Sequence, residues 1–188
     1  MRLTERVHHD LKKYVQLGDG VVDATSGNGH DTLFLAQLVG IEGHVFTFDV
    51  QLEALEKTRQ HVEQHESIAP IQYIHRGHEY MQSEIAKRYH GRIRAIVFNL
   101  GYLPQANHTV MTVPHTTIDA LQQSTSLLCQ GGVISILAYT GHIGGRDEAE
   151  SIKKWLLTLG DSFEYDIEIP KNTRASPPEY ILIRKIDL

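Results

Sequence analysis

The sequence predicts an α/β protein: a doubly wound, mostly parallel seven-stranded sheet with helices on both faces. Three observations predict it. Strand-like apolar runs alternate with helix-length amphipathic segments along all 188 residues. The first strand passes through a glycine-rich turn into a helix, across Val21-Val-Asp-Ala-Thr-Ser-Gly-Asn-Gly-His-Asp-Thr32. The second strand, His44–Val50, ends on Asp49, about twenty residues beyond those glycines, where such sheets place a carboxylate. One domain covering 1–188 is expected from the length.

Each element follows from local pattern. Leu3–Tyr14 reads as a helix, with Arg6, His9 and Lys13 at helical spacing on the side that would cover the ligand. Gly27 and Gly29 permit a tight turn, and Asp31 or Thr32 can start the next helix, whose apolar face is Leu33, Phe34, Leu35 and Leu38. Gln51–His65 is helical with Leu52, Leu55 and Val62 inward. Ile71–His75 is the third strand and delivers Gly77 and His78; Glu79–Tyr89 reads as one helix. Arg94–Asn99 is apolar enough to be central. A loop from Gly101 to Pro114 leads to a helix over Thr116–Cys129, which Gly131-Gly132 is expected to stop. Val133–Tyr139 is the fifth strand, followed by a loop with Gly141, His142, Gly144 and Gly145, then a helix over Asp147–Leu159. Phe163–Ile169 and Glu179–Lys185 form the antiparallel end of the sheet. The polar loop Pro170–Pro178, with Asn172, Thr173, Arg174 and Ser176, is a candidate for substrate contact.

Composition narrows the function. Hydrophobic residues at 41% and charged residues at 22% are ordinary for a globular protein. No apolar run reaches the ~20 residues that cross a bilayer, and the first ten residues hold no apolar signal region. A cytoplasmic enzyme with no membrane or DNA partner is expected. The single Cys129 excludes an internal disulfide, and its apolar helical context suggests a structural thiol. A net charge of −5 does not advertise nucleic-acid binding. The positive charges are nonetheless clustered: Arg2, Arg6, Lys12 and Lys13; Lys87, Arg88, Arg92 and Arg94; Lys171 and Arg174. Twelve histidines are scattered, and no metal site is expected from their spacing.

The turn chemistry selects the ligand. A dinucleotide fingerprint needs a third glycine, and Thr32 follows Gly27 and Gly29 instead. Asp23 would repel a pyrophosphate, which counts against a nicotinamide dehydrogenase. It suits a ligand with cationic groups, and S-adenosylmethionine has a sulfonium and an α-amino group. Here the sequence resembles class I methyltransferases with a Rossmann-like sheet, and more closely the YtqB/MnmM-like family first described as rRNA methylases. The matching stretches are Asp23-Ala-Thr-Ser-Gly-Asn-Gly-His-Asp-Thr32, Phe48-Asp-Val-Gln51, Phe98-Asn-Leu-Gly-Tyr-Leu-Pro104 and Gly141-His-Ile-Gly-Gly145. Ser26 departs from the resemblance, which leads us to expect a larger residue such as Met. The resemblance implies S-adenosylmethionine as cofactor, with Asp23 toward its ammonium, Asp49 on the ribose and Gly77 and His78 near the adenine. Thr25, Gly27, Asn28, Gly29, Asp31, Thr32, Gln51, Asn99 and Leu100 complete the expected cofactor contacts.

The acceptor is read from Asn99-Leu-Gly-Tyr102. Amino-group methylases carry [Asp/Asn]-Pro-Pro-[Tyr/Phe] at this point, where an amide oxygen and a backbone carbonyl accept the amine's protons. This chain keeps Asn99 and Tyr102 and lacks both prolines, which leaves room for an aliphatic amine. Such an amine is protonated near neutrality and must lose a proton before attack, with His142 and His108 as candidate acceptors. Tyr102 could stack on a base. The family resemblance implies a definite substrate: 5-aminomethyl-2-thiouridine at the tRNA wobble position, converted to 5-methylaminomethyl-2-thiouridine. An exposed anticodon loop suits an enzyme without a separate RNA-binding domain, and a homodimer would add surface. Methylation of rRNA or of a small-molecule amine, and a non-catalytic adaptor binding cofactor or RNA, are the alternatives.

Overall fold

A computed structural model describes residues 2–66, 69–101, 111–170 and 176–186. Its strands are β1 (Gly20–Asp23), β2 (His44–Asp49), β3 (Ile71–His75), β4 (Ile93–Leu100), β5 (Leu128–Ala138), β6 (Phe163–Glu168) and β7 (Glu179–Lys185). They form one sheet in the order β3-β2-β1-β4-β5-β7-β6. The first five run parallel to one another, and β7 runs antiparallel to both β5 and β6. The chain thus winds outward from β1 to β3, then returns to lay β4 along the other side of β1.

Helices α1 (Leu3–Leu11) and α2 (His30–Val39) cover one face, while α4 (Met81–Glu84), α5 (Pro114–Leu127) and α6 (Gly145–Leu156) cover the other. The α3 helix (Leu52–Val62) packs against α2, β2 and β3. Strand alternation divides the core between these layers. Val22 joins Phe46, Phe48, Ile96 and Phe98 beneath α4, α5 and α6. Its neighbour Val21 joins Val45, Ala95 and Val97 beneath α1 and α2. Both valines are completely buried, as a central parallel strand requires. Each large side chain so buried contributes about 1.5–3 kcal/mol of transfer free energy. Among the described residues no helix is long and apolar enough to cross a membrane.

Two sequence expectations need correction. The segment expected as one helix over Glu79–Tyr89 is three short pieces: a 3₁₀ turn at His78–Tyr80, α4, and a second 3₁₀ turn at Lys87–Tyr89. Ile85 breaks it by taking extended backbone, which puts its side chain into the core. The helix expected to reach Cys129 ends at Leu127, and β5 begins at once. Gly131 and Gly132 therefore lie within β5, at the irregular register with β4. A Cβ on Gly132 would come 2.9 Å from the Cys129 carbonyl and 3.1 Å from those of Ile93 and Arg94, so glycine allows the strands to close here. Cys129 sits half-buried on this strand, and burial pushes its thiol up, away from nucleophilic use.

Candidate active site

Five parallel strands bring their carboxyl ends to one edge of the sheet, and the reversal between β1 and β4 opens a crevice there. Asp23 closes β1, Asp49 closes β2, and Gly77 and His78 follow β3. Asn99 lies near the end of β4, and Thr140 and His142 follow β5.

Asp23 is wholly buried. Its Oδ2 accepts from the Thr32 hydroxyl at 2.6 Å and its Oδ1 from the Thr25 amide at 3.1 Å. Burial, and then the nearby charge of Asp31, push this carboxyl up to about 7 despite those bonds. Asp49 takes the Gly27 amide on Oδ2 at 3.0 Å and the Gln51 amide on Oδ1 at 2.9 Å, and burial pushes it up as well. It thereby ties the glycine turn to the second strand. Gly27 and Gly29 have φ of 56° and 82°. A Cβ on Gly29 would lie 2.8 Å from the Thr58 Cα of α3. Ser26 lies beside the same residue, its hydroxyl 2.8 Å from Thr58 Oγ1, so the small side chain is used for a buried bond. Gly29→Ala is expected to cost about 2–3 kcal/mol, combining left-handed backbone with overpacking. Urea unfolding measures it; an unchanged midpoint would mean that α3 yields freely.

His78 is buried, with Nδ1 donating to the Ala24 carbonyl at 3.2 Å and its ring edge-on to Phe98. Burial pushes its imidazole down, favouring the neutral ring.

On the other side of the crevice, the Asn99 amide donates to Thr25 Oγ1 at 2.7 Å and its Nδ2 donates to Asp31 Oδ2 at 3.3 Å. The second Asp31 oxygen meets His8 Nε2 at 2.7 Å. His8 lies flat on Phe34, with ring centroids 3.8 Å apart and planes 2° from parallel. A continuous chain, His8–Asp31–Asn99, therefore joins α1, α2 and β4. The Tyr139 phenol stands on this side too, pushed up by burial and by the charge of Asp31.

The structure redistributes several expected residues. α1 reaches the crevice through His8, whereas Arg6 and Lys13 both pair with the buried Asp10, at 2.9 and 2.6 Å, and His9 is exposed. Thr32 is fully buried and acts on Asp23. The Leu100 side chain is also fully buried, and its carbonyl accepts the Tyr139 amide, so its contact with a ligand is limited to backbone. Gly77 precedes the 3₁₀ turn, and the Glu79 carboxylate fills the space a Cβ would take. Asn28 is half-buried within the turn. The half-buried His142 ring lies against Gly145 and near Gly101. Tyr102 and His108 lie outside the described residues, as do Lys171, Asn172, Thr173 and Arg174. Sequence reasoning passed over His8, whose partner is 23 positions away, and Glu148. Buried in the first turn of α6, Glu148 accepts from the hydroxyls of Thr112 at 2.7 Å and Thr117 at 2.6 Å.

The basic clusters separate as well. Arg94, the second residue of β4, is held 3.5 Å from Asp19, at the amino edge of the sheet, opposite the crevice. The α1 cluster flanks the crevice, with Lys12 over the Phe34 ring. Arg146, in the first turn of α6, donates to Ser176 Oγ at 2.8 Å, next to a groove shared with Thr140 and Ile169.

Comparison with known proteins fits this architecture. Residues 45–184 match the family described as "Putative rRNA methylase". The chain belongs to this family. Within solved structures, a Clostridium thermocellum protein of the same description is 38% identical, with a TM-score of 0.91 and 97% of each chain covered. A Streptococcus mutans protein in complex with SAH is 34% identical, with a TM-score of 0.87 and 99% of each chain covered. The Arabidopsis thaliana chloroplastic tRNA (mnm(5)s(2)U34)-methyltransferase is 35% identical over 160 residues, 81% of this chain. The chain spans 58% of the length of that curated relative.

Proposed function

We propose that this protein is an S-adenosylmethionine-dependent RNA N-methyltransferase that acts on the wobble uridine of tRNA. In this reading it converts 5-aminomethyl-2-thiouridine to 5-methylaminomethyl-2-thiouridine. One observation carries the proposal: Asp23, Asp31 and Asp49 converge with the Asn99 amide in one crevice at the strand reversal. Such a donor set fits cationic ligands and an amine, and it is poorly matched to a pyrophosphate. The Streptococcus mutans relative in complex with SAH and the Arabidopsis tRNA methyltransferase agree with that reading.

The cofactor supplies an electrophilic methyl group on its sulfonium. Asp23 would meet the amino-acid ammonium, Asp49 the ribose hydroxyls, and the turn at Gly27 and Gly29 would bring backbone amides close. Gln51 and His78 would border the adenine end. Asn99 would face the acceptor: with its Nδ2 turned to Asp31, its Oδ1 would accept a hydrogen bond from the amine and aim the lone pair. His142 and Tyr139 would border the base being modified. The cytoplasm, a single catalytic domain and a homodimer that extends the RNA-binding surface belong to the same proposal.

Labelled S-adenosylmethionine, tRNA from cells lacking the modification and nucleoside mass spectrometry test it. One methyl gained on 5-aminomethyl-2-thiouridine is expected. Equal rates on tRNA and on the free nucleoside would favour the small-amine alternative, to which the acidic net charge of −5 also lends weight. Asn99→Ala is expected to leave SAH affinity nearly unchanged while lowering turnover at least about tenfold, ~1.4 kcal/mol in the barrier. Unchanged turnover would remove Asn99 from the mechanism.

A further inference from the structure

We propose that Asp31 is the proton acceptor for the substrate amine and that His8 is the positioning residue that aims it. The inference rests on the methyl-transfer reading above and assigns the step that reading leaves open. It also moves Asp31 from cofactor contact to acceptor chemistry.

The geometry points to this pair. Asp31 stands in the first turn of α2, beside the Asn99 amide that would hold the acceptor, and its side chain keeps 16% exposure. One of its oxygens is held from behind by His8 and the other faces Asn99. His8 is itself fixed on two sides, by the 2.7 Å contact with Asp31 and by stacking on Phe34. An ordinary surface ion pair is not braced in this way. Asp23 is a poorer base for this step, being wholly buried and already accepting from Thr32 and Thr25. Asp49 is taken up by two backbone amides, from Gly27 and Gln51.

The acceptor enters as R–CH2–NH3⁺ and passes one proton to Asp31, leaving R–CH2–NH2. The nitrogen lone pair then forms the N–C bond to the methyl carbon while the C–S bond breaks, and its electron pair stays on sulfur. The products are a secondary ammonium, R–CH2–NH2⁺–CH3, and the thioether. The proton on Asp31 is released to water after product leaves. The titratable groups facing Asp31 are His8 from α1, Asp23 from β1 and Tyr139 from the end of β5.

The test compares wild type with Asp31→Asn, His8→Ala and His8→Gln on tRNA bearing 5-aminomethyl-2-thiouridine. SAH affinity by calorimetry serves as the control for folding. Asp31→Asn is expected to bind SAH within about threefold of wild type and to lose about a hundredfold in kcat at pH 7, the lower end of the range for general base catalysis. Because an asparagine cannot take the proton, its rate should climb about tenfold per pH unit as free amine accumulates, with a shallower slope in wild type. His8→Ala is expected to lose about tenfold in kcat with KM for tRNA held within about twofold. His8→Gln, whose amide reaches the same oxygen, should recover most of that loss. A structural signature accompanies these rates: the proton between His8 Nε2 and Asp31 should give a slowly exchanging NMR resonance in wild type and His8→Ala should abolish it.

A methylating wild type with an unimpaired Asp31→Asn overturns the assignment alone. Equal losses in His8→Ala and His8→Gln overturn the positioning role. Weakened SAH binding in Asp31→Asn returns Asp31 to the cofactor and also overturns the proposal. A wild type that binds SAH but leaves the tRNA unmethylated overturns the reaction itself, and this assignment with it.

Discussion

Asp23→Asn is expected to stabilise the ligand-free protein above neutrality while weakening its hold on the cofactor. The native carboxyl is pushed up to about 7 by burial and by Asp31, against about 3.9 for an unfolded aspartate. Between those values the native state binds the extra proton, so the stabilisation it brings is complete below about pH 4 and lost as pH rises through about 7. By pH 8 the wild type bears the full cost of a buried, charged carboxylate, of the order of 4 kcal/mol, and an asparagine avoids it. His78 has the opposite sign: its imidazole is pushed down, so its contribution to stability grows as pH rises toward the ordinary histidine range. The diagnostic quantity is therefore the difference between the two proteins in urea unfolding at pH 5 and pH 8. That difference should widen in favour of the variant at pH 8; a constant difference would show that Asp23 is ionised throughout. In calorimetry the variant should bind SAH at least about tenfold more weakly, since on the proposed reading a neutral amide would replace the carboxylate that meets the ligand's ammonium.

Asp49→Ala is expected to weaken SAH binding about a hundredfold, ~2.7 kcal/mol. Two losses combine here. On the proposed reading the ribose hydroxyls would lose a charged acceptor, worth about 1.5–3 kcal/mol. The amides of Gly27 and Gln51 lose the carboxylate that holds the glycine turn against β2. Asp49→Asn separates them, because one amide oxygen can still serve one backbone donor, so it should fall between alanine and wild type. Wild-type affinity in either variant would place the ribose elsewhere in the crevice.

Most of the frame was legible because its signals are local. The Val21–Thr32 segment announces a strand, a turn and a helix within a dozen positions, and Asp49 follows at the spacing a parallel neighbour needs. The runs Arg94–Asn99 and Val133–Tyr139 are apolar stretches of the kind that a doubly covered sheet accommodates. The failures occurred where tertiary packing overrides pattern. Leu127-Leu128-Cys129 continues an apolar helical face without a break, yet the chain turns extended at Leu128 because β5 must lie beside β4. Gly131-Gly132 looks like a helix stop and is instead the place where carbonyls of β4 crowd against β5. Ile85 has no local reason to leave a helix; the buried space beneath α5 supplies it. The site shows the same division. Asp23, Asp49 and Asn99 stand at strand ends and could be read, whereas the pairing of His8 with Asp31 joins two helices that only the folded sheet brings together.

The strand order also constrains how the chain can assemble. β7 lies between β5 and β6, and among the described residues β6 pairs with β7 alone. During synthesis, β6 therefore emerges with no sheet to join, and β5 presents a bare hydrogen-bonding edge until Glu179–Lys185 has been made. A nascent chain stalled before that point offers two unpaired strands, one of them carrying Tyr165 and Ile167 in the open. Ribosome pausing in this interval, or truncation just before β7, would favour pairing between neighbouring chains over completion of one.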